Sequence, residues 1–67
     1  MENKLTLRDA IQNSINYYYG KSNEFMELAE KEQGTRKDEY FSLSKLYEGK
    51  AKGFEEALEY INAYLII

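Results

Sequence analysis

One break divides this chain. Gln33-Gly34-Thr35 falls at the midpoint of 67 residues that contain no proline. On either side of it apolar residues recur at steps of three and four, the spacing of one helix face. From Tyr40 the steps give Leu43, Tyr47, Lys50, Phe54, Ala57, Ile61 and Tyr64, with Lys50 the lone charge. From Leu7 they give Ile11, Ser14, Tyr18, Lys21, Phe25 and Leu28. No stretch alternates with period two for long enough to make a strand. Glycine takes the left-handed conformation past a helix end without a Cβ clash. Thr35 beside it is a good N-cap, with Asp38 in the following turn. Thr6 and Asp9 repeat that device near the start, and Leu5 and Ala10 stand at staple positions. The sequence therefore predicts helix 1 over about 6–33 and helix 2 over about 35–65.

A short turn sets two such helices side by side and antiparallel. Both rise equally per residue, so residues at one level share an index sum, about 68 or 69 for a turn at Gly34. The expected layers pair Leu28 with Tyr40, Phe25 with Leu43, Ser22 with Tyr47, Tyr18 with Ala51, Ser14 with Phe54, Ile11 with Leu58 and Leu7 with Ile61. Large faces small in the middle layers, as interdigitated cores require. Gly20 falls level with Gly49, which predicts a close backbone approach or aromatic rings lying over bare backbone there, and a heavy penalty for a large side chain at 49. The fold class is all-α: one domain, residues 1–67, formed as an antiparallel helical hairpin.

Two helices of this size make a small core, and the usual reinforcements are missing. There is no Cys and no His, so neither a disulfide nor a zinc site can brace the fold. The same absence removes Ser-His and Cys-His nucleophile pairs. Carboxylates cluster at Glu24, Glu27 and Glu30 and at Glu55, Glu56 and Glu59, but helical di-metal sites also draw on histidine. Glu27 with Lys31, Glu48 with Lys52 and Lys52 with Glu56 stand at the spacing of solvated helix pairs. No catalytic residue, metal site or cofactor is expected.

Apolar residues remain after the hairpin seam is filled. A second stripe runs through Leu46, Gly53, Ala57, Tyr60, Tyr64 and Ile67, and a further set comprises Ile15, Tyr19 and Met26. Two helices cannot bury two stripes each against one another. A second copy is the simplest partner, and two hairpins about a two-fold axis make a four-helix bundle. On this reading Leu46, Gly53, Ala57, Tyr60, Tyr64, Ile67, Ile15 and Tyr19 form the self-association or partner interface.

Seven tyrosines are many for this length, and tyrosine suits interfaces because it joins apolar area to a polar tip. Consecutive helix positions point about 100° apart, so Tyr17, Tyr18 and Tyr19 cannot share a face. Tyr17, with Arg36 and Lys37 at the opening of helix 2, is a candidate patch for an unidentified protein partner. Nine basic residues stand against twelve acidic ones, a net charge of −3. That balance argues against nucleic acid. A small dimeric nucleic-acid regulator is the alternative, and it requires Arg36, Lys37, Lys45, Lys50 and Lys52 to line up on one face. No apolar run of about 20 residues marks a membrane span, and the polar opening residues lack the pattern of a signal peptide. A cytoplasmic protein is the expectation.

Residues 46–58, Leu-Tyr-Glu-Gly-Lys-Ala-Lys-Gly-Phe-Glu-Glu-Ala-Leu, resemble a segment of small helical proteins from Gram-positive bacteria and their phages. There the pattern is Tyr-x-Gly-Lys-Ala, an aromatic residue, then Glu-x-Ala-Leu. The likeness spans about residues 40–61 and carries no catalytic or ligand residues. It implies an accessory protein of a mobile element that binds and inhibits or regulates a host protein. The small hairpin phosphatases of sporulation are of similar size, but their Ser-Gln-Glu-Leu-Asp motif has no counterpart in Ser42-Leu43-Ser44-Lys45-Leu46.

Overall fold

A computed structural model describes residues 6–64. It consists of α1, Leu7–Lys31, and α2, Thr35–Tyr64, packed along their lengths as a hairpin. Thr6 caps α1 as its sequence requires. Its hydroxyl accepts from the Asp9 amide at 3.0 Å, and the Asp9 carboxylate accepts from the Thr6 amide at 3.4 Å. The staple expected of Leu5 lies outside the described residues, as do Leu65, Ile66 and Ile67.

The turn differs in detail from its expectation. α1 ends at Lys31, with Glu32 extended behind it, so Gly34 is too far along to be the residue that closes that helix. Gly34 instead opens α2. Its φ is +70°, and its carbonyl accepts the first helical bond from the Asp38 amide at 3.3 Å. That is the N-cap role, which moves Thr35 from the cap to the first helical position. Lys37 closes the turn by donating from Nζ to the Ala29 carbonyl at 3.1 Å. A cation thereby satisfies an acceptor at the end of α1, where the helix dipole is negative.

The seam buries Ile11, Ser22 and Ala51 from the expected layers and adds Ile15, Ala29 and Ser44. The buried positions are Ile11, Ile15, Ser22 and Ala29 on α1 and Ser44 and Ala51 on α2. Leu7, Leu28 and Tyr64, expected in the core, are exposed. The serines show how near the backbones come. Ser44 Oγ donates to the Ser22 carbonyl at 2.9 Å, a reach possible for so short a side chain only between closely packed helices. With that hydrogen committed, the Ser22 hydroxyl donates to Ser44 Oγ across 3.0 Å. Small residues at the centre leave the large rings at the flanks.

The glycine expectation is also corrected. A Cβ added at Gly20, Gly49 or Gly53 meets no atom within 4 Å. Gly20 and Gly49 lie on the outer backs of their helices, and no backbone approach occupies them. Two helices side by side give a slab of 51 × 28 × 11 Å, one helix thick, with two broad faces.

Candidate interaction surface

One broad face carries a continuous column of rings. Tyr18 and Phe25 are seven residues apart, as are Tyr40, Tyr47 and Phe54. A seven-residue step returns a helix to nearly the same direction, so each set projects to one side. Antiparallel packing then offsets the sets by half a step. The order along the slab is Tyr40, Phe25, Tyr47, Tyr18, Phe54. Successive ring centroids lie 6.0, 5.6, 5.9 and 5.7 Å apart, with interplanar angles of 26°, 8°, 24° and 10°. Such offset stacks add about 0.5–1.5 kcal/mol per pair to their burial. Tyr17 meets Tyr18 edge-on at 5.3 Å. All five stacked rings remain half-buried.

The rim of this face is apolar with few charges. Lys21 lies over Phe25 at 5.7 Å and Lys50 over Tyr18 at 6.0 Å. Lys21 also pairs with Glu24 at 3.3 Å. The hydrogen bond and charge of Glu24 hold its ammonium above the usual lysine range. Tyr18, Lys50, Gly53, Phe54 and Ala57 line an open hollow of about 370 Å³, which Gly53 leaves unfilled for want of a side chain. Beyond it, at the outer edge of α2, Leu46 is 54% exposed and Tyr60 65%. Tyr60 stacks on Tyr64 at 6.1 Å.

The opposite broad face is mostly polar, with one exposed ring, Phe41 at 47%, beneath Lys45 at 5.5 Å. Tyr19 donates to Glu55 Oε1 at 3.0 Å. Desolvation first, then the Glu55 bond and the charges of Glu55 and Glu48, push its phenol above the usual tyrosine value. Glu48 is clamped between Lys45 at 3.3 Å and Lys52 at 3.4 Å. The hydrogen bond from Lys45, its charge, and the same two effects from Lys52 hold the Glu48 carboxylate below the ordinary range. Gln12, Ile15, Glu55, Leu58, Glu59 and Asn62 line a hollow toward the open end of the hairpin.

The residues expected at an interface therefore separate. Gly53 and Ala57 flank the ring column, and Leu46, Tyr60 and Tyr64 continue it around the edge of α2. Tyr17, 58% exposed, joins the same face from α1. Ile15 does not: at 4% exposure it belongs to the seam. Tyr19 is turned to the polar face, and Ile67 lies outside the described residues. Arg36 is exposed, while Lys37 is engaged at the turn and forms no patch with Tyr17. The column itself was not foreseen. Its signal was present as aromatic residues at seven-residue spacing on both helices, offset so that one set falls between the other.

The basic residues do not line up. Lys45 and Lys52 share a side but converge on Glu48, Lys37 is spent on Ala29, and Lys50 projects over Tyr18. Among the described residues no three acidic side chains gather as a metal site would need, and no helix is long and apolar enough to cross a membrane. No family model matches the chain, and neither a curated protein nor a solved structure matches it.

Proposed function

We propose that this hairpin is a non-enzymatic protein-association module, with the aromatic face as its docking surface. The observation that carries the reading is the half-buried ring column, bordered by the exposed Leu46 and Tyr17. Aromatic and aliphatic anchors of this kind dominate the energetics of protein interfaces. Nucleic acid is the weaker partner, because phosphate binding needs unpaired cations along one groove, and here they are scattered or paired. In this reading the module regulates by occupying a surface of its partner. The likeness of residues 46–58 to proteins of Gram-positive bacteria and their phages supports a host protein as the regulated target.

The test is capture with a tagged full-length chain from a Gram-positive lysate, run beside Tyr17→Glu and Leu46→Glu. Both substitutions are at exposed positions and leave the seam untouched. A stoichiometric protein held by the parent chain and lost with either substitution supports the reading. Equal capture by all three chains, or no stoichiometric protein, overturns it.

A further inference from the structure

We draw no further inference here: the strongest candidate, the exposed hollow at the outer edge of α2 lined by Glu56, Glu59, Tyr60, Ala63 and Tyr64, is two carboxylates beside two rings, and nothing in the structure shows what covers it.

Discussion

Ser44 holds Ser22 by two hydrogen bonds inside the seam, one to its carbonyl at 2.9 Å and one from its hydroxyl at 3.0 Å. The pair is buried, and it fixes how far one helix can slide along the other. Polar groups in a dry seam constrain register because only one alignment satisfies both. The two serines are not equivalent. Ser44→Ala removes both bonds and strands the buried Ser22 hydroxyl, whereas Ser22→Ala removes one and leaves Ser44 bonded to the carbonyl. Ser44→Ala is expected to cost about 1–3 kcal/mol and Ser22→Ala about half that or less. The double alanine variant should be no worse than Ser44→Ala alone. Urea denaturation of the four chains checks all three statements.

Gly49 lies on the outer side of α2 with open space where a Cβ would be. Gly49→Ala is therefore expected to stabilise the protein by about 1 kcal/mol through helix propensity. An expectation based on close backbone approach has the opposite sign. A fall in the urea midpoint on this substitution would mean that something packs against Gly49.

Tyr47 is the middle ring of the column, stacked on Phe25 at 5.6 Å and on Tyr18 at 5.9 Å. Tyr47→Ala breaks the column into two pairs and opens a gap between the helices. Losses of about 3 kcal/mol are expected for removing such a ring, large against the total stability of a domain this small. Tyr47→Phe keeps the stack and should lie within about 0.5 kcal/mol of the parent. Thermal melts distinguish the two.

Acid acts on the Glu48 clamp. Because Lys45 and Lys52 hold the folded carboxylate below its ordinary value of 4.5, the clamp stabilises the fold above that value. Its contribution is lost as pH falls below about 4.5 and through the lower folded value. Glu48→Gln should lower the melting temperature at neutral pH, and the gap to the parent should close in acid. Added salt should narrow it as well, since the ions are near the surface.

Alkali acts on Tyr19. Its phenol is raised above 10.0 by desolvation and by its bond to Glu55, so the bond stabilises the fold at pH values below 10 and is lost as pH rises through the higher folded value. Tyr19→Phe should show a shallower loss of helicity above pH 10 than the parent. Ultraviolet titration of tyrosine ionisation, compared between the two chains, should show the missing group among the last to ionise.

Much of the hairpin is legible in the sequence. The Thr6–Asp9 box, the break at Gly34 and the three-and-four spacing mark two helices, and one short turn leaves them no arrangement but antiparallel. The axial level was legible too. Phe25 falls midway between Tyr40 and Tyr47, and Tyr18 midway between Tyr47 and Phe54, as an index sum of 68 or 69 requires. These properties follow from local chemistry and from the fixed rise of a helix.

The rotation of each helix about its own axis did not follow. The expected layers held Ile11, Ser22 and Ala51, which are buried, but periodicity weights large apolar side chains and also set Leu7, Leu28 and Tyr64 in the seam, which are exposed. Packing added Ala29 and Ser44 to Ser22 and Ala51, because small side chains let two backbones approach and hydrogen-bond across the gap. The rings were thereby displaced to one flank, where they stack on one another. That rotation assigned Ile15 to the core, turned Tyr19 toward Glu55, left Gly49 open and built an aromatic face beside a polar one. A linear pattern contains the two sets of rings, but which side they share is a property of the closest approach between helices, and tertiary contact alone decides it.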